Sequence, residues 1–300
     1  VLHVASFDAA QIYKVVADIN NSGYGLTFGL HTRIDRRVQE IINAARVGNL
    51  YVNRNQIGAI VGSQPFGGEG MSGTGPKAGG PHYLRRFRLQ KPIAIAKKII
   101  PSDRLSKQQT LVDVIQSLAD VPSIPSTESV SLLRNLLRGR ASDAMSACAG
   151  LDSGPIDLPG PTGEANQLNL LPMGVVLCLS DDPSTLVGWV VQALRMGNRV
   201  VAMGAEATRS LKSLREGCPQ LRTIDATISP EWLTDLDVDV VAADQTQPLT
   251  AIRLTLAQRT GPIVRLVTET INPAAFAVER AICIDTTAAG GNAALLAESG

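Results

Sequence analysis

Little in this 300-residue chain invites a metal, a membrane or a nucleic acid. Its three histidines, His3, His31 and His82, share no ligand spacing, so a His-based metal centre has no candidate. The four cysteines (Cys148, Cys178, Cys218, Cys283) lie far apart and form no CxxC pair. That pattern predicts reduced, mostly buried thiols of a cytosolic protein, not a disulfide framework. No apolar run approaches the roughly 18 residues of a membrane span. Leu2-His3-Val4-Ala5 carries neither a charged leader nor a cleavage signal, and an opening in mid-strand predicts a chain that continues upstream. Formal net charge is +1 and aromatics are 4% of residues, with no basic stripe interleaved among them, which excludes a nucleic-acid footprint.

What is present fits a globular protein: 44% apolar and 18% charged residues, enough chain for one large domain or two ordinary ones. The first ninety residues alternate strand and helix. Leu2 to Ala5 reads as a strand, and Asp8 as the N-cap of a helix to Asn20 with Ile12, Val15, Val16 and Ile19 on one face. Gly23 stops that helix. Leu26 to His31 is a second strand, Asp35 to Ala45 a helix with Val38, Ile41 and Ile42 inward, and Asn49 to Asn53 a third strand. This rhythm predicts a parallel, helix-covered sheet. Tyr83 to Ile100 reads as an extended arm or hairpin, Thr110 to Ala119 and Glu128 to Ala149 as helices, and Asp152 to Pro161 as a linker. A second α/β unit starts near Leu170: strand 174–179, helix Pro183 to Met196, strand Arg199 to Met203, helix Ala207 to Arg215, and strands 238–242, 263–267 and 281–285.

Between the third strand and the arm runs a glycine-dense loop, Gly58 to Gly80. Glycine lets backbone N–H groups approach a guest and permits positive φ, and exposed amides suit an anion. A plain linker would also be glycine-rich. It would not need the fixed turn and lone aromatic of Gln64-Pro65-Phe66, nor Lys77 set among glycines.

These segments resemble a family. Tyr24-Gly25-Leu26 with Gly29, Gly48-Asn49-Leu50-Tyr51-Val52-Asn53, and Pro65-Phe66-Gly67-Gly68 with Ser72-Gly73 look like the end of the aldehyde dehydrogenase superfamily. The longer run Gly73-Thr74-Gly75-Pro76-Lys77-Ala78-Gly79-Gly80-Pro81 looks like its glutamate semialdehyde (pyrroline-5-carboxylate) dehydrogenase branch. Asn53-Arg54-Asn55 and Thr287-Ala288-Ala289-Gly290-Gly291-Asn292-Ala293 are similar to bacterial bifunctional members of that branch.

The resemblance implies an α/β fold: the C-terminal portion of an aldehyde dehydrogenase catalytic domain, a parallel sheet with helices, and then an aldehyde-dehydrogenase-like Rossmann-type α/β domain. Residues 1–100 would be the catalytic-domain end with an anchor loop and arm, 101–160 a helical linker, and 161–300 a noncatalytic domain with a lid-like tail. Gly58 and Ala59 would offer backbone N–H groups to the carboxylate of glutamate semialdehyde, a charge-assisted grip, and Phe66 would pack on its aliphatic carbons. Serine is common among relatives at the Ala59 position; alanine keeps the backbone donor. Ser63 reads as a loop residue, and Lys77 as a tie within the loop.

The resemblance also implies what lies elsewhere. The family's nucleophilic cysteine and general base would sit upstream, since Cys148 falls in a helix, Cys178 and Cys283 in strands, and Cys218 before a proline. The chain alone is then expected to be inactive. NAD would be shared with the rest of the parent polypeptide, and FAD would belong only to its proline dehydrogenase domain. The parent would be cytoplasmic or peripheral at the inner membrane.

In the second unit the turn Ser180-Asp181-Asp182-Pro183 puts carboxylates where a dinucleotide's phosphates would sit, and no GxGxxG occurs there. Asp181 and Asp182 read as capping residues, and Trp189 as a core or interface aromatic. The expected role of this unit is to buttress the site and enclose a tunnel for the intermediate. The alternative is a stand-alone noncatalytic module.

Overall fold

The computed structural model describes residues 2–88, 104–123, 126–137, 139, 141–151 and 154–287. In chain order the elements begin with α1 (Ile12–Asn21), β1 (Tyr24–Gly25), β2 (Thr27–Leu30), α2 (Asp35–Ala44), β3 (Asn49–Val52) and β4 (Glu69–Gly70). Then come α3 (Arg104–Gln116), α4 (Ser126–Leu137), α5 (Ser142–Ala149), β5 (Ile156–Leu158), β6 (Glu164–Pro172), β7 (Val175–Leu179) and α6 (Pro183–Arg195). The last are β8 (Arg199–Met203), α7 (Ala205–Ser210), α8 (Lys212–Gly217), β9 (Leu221–Ile224), β10 (Val240–Ala243), α9 (Leu249–Gln258), β11 (Arg265–Val267) and β12 (Ala277–Asp285).

They form two compact units that are not consecutive in sequence. The first gathers the described residues of 1–87, 155–169 and 279–300, the second those of 88–154 and 170–278. The boundaries drawn from the sequence at 100 and 160 therefore cut across pieces that one sheet joins.

The first unit is built on a five-stranded sheet of order β2-β3-β12-β6-β5. β3 lies parallel to β2 on one side and to β12 on the other, with Leu50 opposite both Phe28 and Ile282. α2 covers it because Val38, Ile41 and Ile42 fall at helical spacing on one face; they pack with Leu30, Leu50, Val52, Ile282 and Ile284. Burying each such side chain contributes about 1.5–3 kcal/mol. Asp35 in the first turn favours the positive end of the helix dipole.

The second unit is an all-parallel sheet, β11-β10-β7-β8-β9, covered on both faces. One core joins α4, α5 and α6 through Leu133, Leu137, Cys148 and Trp189. The other joins α3 and α9 through Leu111, Ile115 and Ile252. Sequence order reverses between β7 and β10, the place where doubly wound sheets bind ligands. At that place Asp182 caps α6 by accepting the Thr185 N–H at 2.7 Å, and Ser180 Oγ donates to Asp244 at 2.5 Å. Burial, with Asp244 and Glu206 beside it, raises the Asp181 carboxyl above its ordinary pKa. Trp189 is a core aromatic whose indole N–H donates to Glu269 O.

Several sequence expectations need correction. Leu2 to Ala5 is not a strand; the described residues offer it no partner. Tyr83–Phe87 is a 3-10 turn, not an extended arm, and 89–100 lie outside the described residues. The helix expected over Glu128 to Ala149 is two, broken where Gly139 takes φ 86°. The expected helix Ala207 to Arg215 is likewise two, α7 and α8. The expected linker contains β5, and β6, β9 and α9 carried no strand or helix assignment. Of the expected face of α1, only Val16 is buried. The proposed lid-like tail lies outside the described residues from 288 on.

Candidate substrate-anchoring site

β3 delivers the chain to the loop. All four of its residues are buried, as a strand with neighbours on both sides requires. The turn out of it falls on Asn53, whose φ of 57° is left-handed. Asparagine tolerates that conformation, and its Oδ1 accepts the Thr32 N–H at 2.9 Å. From Arg54 the chain makes an exposed excursion that closes at Gln64, where Ile60 and Gln64 exchange backbone hydrogen bonds of 2.8 and 3.2 Å.

Two side chains at the foot set the peptide planes of this excursion. Arg54 Nη2 donates to Ile57 O at 3.5 Å, and the Tyr51 hydroxyl donates to Gly58 O at 3.0 Å. The peptide bonds of the described residues are trans, and in a trans peptide the carbonyl and the following N–H point in opposite directions. Holding the Ile57 and Gly58 carbonyls inward therefore turns the Gly58 and Ala59 N–H groups outward. Both residues are exposed, and neither amide has a protein acceptor among the described residues. Gly58 sits at φ 129°, a conformation that glycine alone adopts without strain.

The return limb carries Phe66, half-buried and paired by two backbone hydrogen bonds with Ala78. The three residues predicted from the sequence thus share one loop: Gly58 and Ala59 side by side, Phe66 beyond the Ile60–Gln64 closure. Ser63 is an ordinary turn residue there. Below them the loop is pinned, not free. Asn49 Nδ2 donates to Pro65 O at 2.8 Å while its Oδ1 accepts the Gly67 N–H at 3.1 Å. Lys77, 1% exposed, donates through Nζ to Gly67 O and Asn49 Oδ1, the tie expected of it. Glu279 in β12 accepts the Lys77 N–H and faces His82 Nδ1, both at 2.6 Å. Arg280 grips both oxygens of Glu69.

A second carboxylate closes the foot of the excursion. Glu164 in β6 accepts from Arg54 Nη1 at 2.5 Å, from Gln64 Nε2 at 2.7 Å and from Asn166 Nδ2 at 2.9 Å. Cys283 lies against the same cation, its Sγ 2.8 Å from Arg54 Nη1. Arg54 favours the Cys283 thiolate, but burial outweighs it and pushes the thiol up to about 11. Burial likewise raises Cys148 and Cys218 to about 11, and Cys178 higher still. Sequence reasoning missed Glu164, Glu279 and Arg280, and read Tyr51 and Arg54 only as parts of motifs. Glu164, Glu279 and Arg280 act on loop residues 100 or more positions away, which no local pattern reveals.

Residues 1–93 match the model of the aldehyde dehydrogenase family, and the chain has an aldehyde dehydrogenase fold. Along 99% of its length it is 35% identical to the bifunctional protein PutA of Salmonella typhimurium, and 35% identical to that of Escherichia coli. The chain spans 22% of the length of these relatives, their C-terminal aldehyde dehydrogenase part. Over 92 residues the chain is also 49% identical to 1-pyrroline-5-carboxylate dehydrogenase 1 of Halalkalibacterium halodurans, covering 30% of this chain and 18% of that protein. Among solved structures, proline utilization A from Corynebacterium freiburgense superposes with a TM-score of 0.51 at 19% identity, covering 91% of this chain and 24% of that one.

Proposed function

We propose that this chain supplies the substrate-carboxylate anchor for oxidation of glutamate semialdehyde to glutamate within a bifunctional proline-catabolic enzyme. The observation that carries the reading is the outward-turned amide pair of Gly58 and Ala59. Two adjacent N–H donors suit one carboxylate, and a hydrogen bond to an ion is about twice as strong as a neutral one. Phe66 on the return limb supplies an apolar wall that orients the chain of the substrate without competing for its aldehyde oxygen. The 92-residue likeness to a pyrroline-5-carboxylate dehydrogenase supports the same substrate.

NAD would be the oxidant, at a shared site held mostly by residues outside this chain. The second unit does not fit a dinucleotide: its switch point carries Asp181, Asp182, Asp244 and no glycine-rich turn. FAD would belong to a proline dehydrogenase domain elsewhere in the parent. The pairing of β12 and β6 within the sheet of β3 supports a buttressing role for the C-terminal segments. Enclosure of a tunnel by residues 161–300 rests on the family resemblance.

A specific observation favours the noncatalytic side of the alternative reading for the chain by itself. An acylating thiol must be accessible and ionisable, and all four cysteines are buried with raised pKa. The chain alone should show no NAD reduction with glutamate semialdehyde and no alkylation of the native protein by iodoacetamide at neutral pH. Turnover that survives removal of contaminating complete enzyme would overturn this.

In a chain that also carries the acylating cysteine, Phe66→Ala should raise KM for glutamate semialdehyde about tenfold, the worth of partial loss of an aromatic contact. NAD affinity should stay unchanged. Equal losses for both ligands would make Phe66 a general support of the loop and not a substrate wall.

A further inference from the structure

We infer that Glu164 is the positioning residue of the anchor amides: one carboxylate from β6 holds both feet of the 54–64 excursion. This rests on the anchor reading of Gly58 and Ala59. Arg54, the residue that restrains the Ile57 carbonyl, ends on Glu164 Oε2, and Gln64, where the excursion closes, ends on Oε1. The span between them has little else to hold it. Ile57 is 79% exposed and Val61 86% exposed, so apolar packing does not fix the apex. The other fixed points inside the span are the Tyr51 bond to Gly58 O, the Thr27 hydroxyl on Gln56 Oε1, the turn bonds from Ile57 N to Asn55 Oδ1 and from Ser63 N to Ile60 O, the Ile60–Gln64 pair and the bond from Gly62 N to Gly79 O.

The chemistry of the clamp requires a carboxylate. Arg54 Nη1 and Gln64 Nε2 are both donors, and they approach opposite oxygens of the same group. A carboxylate accepts at both oxygens. A carboxamide accepts at one and meets the other donor with its own N–H₂. Glu164→Gln keeps the volume and breaks one foot, leaving a largely buried guanidinium without its counter-charge. Asn166 Nδ2 reaches the Gln64 side of the carboxylate, so Glu164 is itself oriented from within its own strand. With the foot loose, Arg54 no longer holds the Ile57 carbonyl, and the Gly58 N–H loses its fixed direction. The consequence is selective: the enzyme loses grip on a carboxylate, not on an aldehyde.

Two measurements test this. Amide exchange on the 300-residue chain should rise about tenfold at the hydrogen-bonded amides of Ile60, Gly62, Ser63 and Gln64 in Glu164→Gln, by the loss of roughly one charged hydrogen bond. Exchange in β3 should remain as in the parent. In a chain carrying the acylating cysteine, KM should be compared for glutamate semialdehyde and for an unbranched aldehyde of equal length lacking the carboxylate. Glu164→Gln should raise the first about tenfold and leave the second and both kcat values unchanged, while Glu164→Asp should recover part of the loss. Equal increases for both aldehydes, or unaltered exchange in 55–64, overturn the proposal. A parent enzyme that shows no preference for the carboxylated aldehyde would instead refute the anchor reading itself, and the exchange measurement would still decide the clamp.

Discussion

Gly48→Ala is expected to destabilise the first unit by at least about 3 kcal/mol, near the upper end of single-substitution effects. Gly48 is buried just before β3, bonded through its N–H to Gly25 O and through its carbonyl to the Ala281 N–H. A β-carbon there would overlap the Gly67 carbonyl oxygen and stand 2.7 Å from Lys77 Nζ and 2.8 Å from Gly68 Cα. Two of those neighbours are backbone atoms. They cannot step aside as a flexible side chain would, because Gly67 is itself held by Asn49 and Lys77. The substitution must therefore lift the Gly67–Gly68 strap off β3, and Phe66 is the adjacent residue. Gly62→Ala is the matching control. Gly62 sits at φ 83° with nothing within 4 Å of a built β-carbon, so it bears only the left-handed penalty of about 1–2 kcal/mol. Urea unfolding of the three proteins, with limited proteolysis of residues 65–80, separates the cases. A Gly48→Ala loss no larger than the Gly62→Ala loss would mean that the strap yields freely.

The same glycines explain what the sequence made legible. Strong local signals were read correctly: the spacing of Val38, Ile41 and Ile42, the apolar run of β7, the proline at the start of α6, and glycines at Gly23 and Gly197 with positive φ. β6 went unread because Glu164-Ala165-Asn166-Gln167 is polar where a strand usually shows branched apolar residues. Its Glu164 bonds Arg54 and Gln64 of the glycine-rich loop, and its Asn166 bonds Glu164, instead of joining a core. β9 is only Leu221–Ile224, too short to display a period. The loop itself could be recognised by composition, yet composition is silent on which carbonyls turn inward. That is decided by Tyr51 and Arg54 at the loop's foot, with Glu164 of β6 on Arg54, while Glu279 and Arg280 of β12 hold Lys77 and Glu69 further along. Non-local pairing of β12 with β3 has no counterpart in any window of the sequence.

Lys77 should make the stability of this unit rise with pH between about 8 and 10.5. The ammonium is 1% exposed, and the acceptors of its Nζ are the Gly67 carbonyl and Asn49 Oδ1, both uncharged. Burial lowers its pKa from 10.5 to about 8; Glu279 and Glu69 oppose that shift and Arg280 adds to it. Below about pH 8 the lysine is protonated whether the chain is folded or not, and the slope from this group is zero. Between about 8 and 10.5 the unfolded chain keeps the proton that the folded chain has released. The unfolded state then binds more protons, so unfolding becomes harder as pH rises. Across the whole window the gain is about 3 kcal/mol, at about 1.4 kcal/mol per pKa unit. Above 10.5 both states are neutral and the slope vanishes again. Lys77→Met removes the titration while keeping an unbranched apolar stem. It carries its own fixed cost, because Gly67 O loses a donor, and that cost does not depend on pH. Tyrosines and other lysines also titrate in this range, but they do so in both proteins and cancel in the difference. Urea unfolding of the two proteins at pH values below, within and above the window should therefore give stability curves that diverge, wild type gaining on Lys77→Met as pH climbs. Parallel curves would mean that Lys77 keeps an ordinary pKa in the folded state, and that its burial at the base of the loop carries no penalty for the charged form.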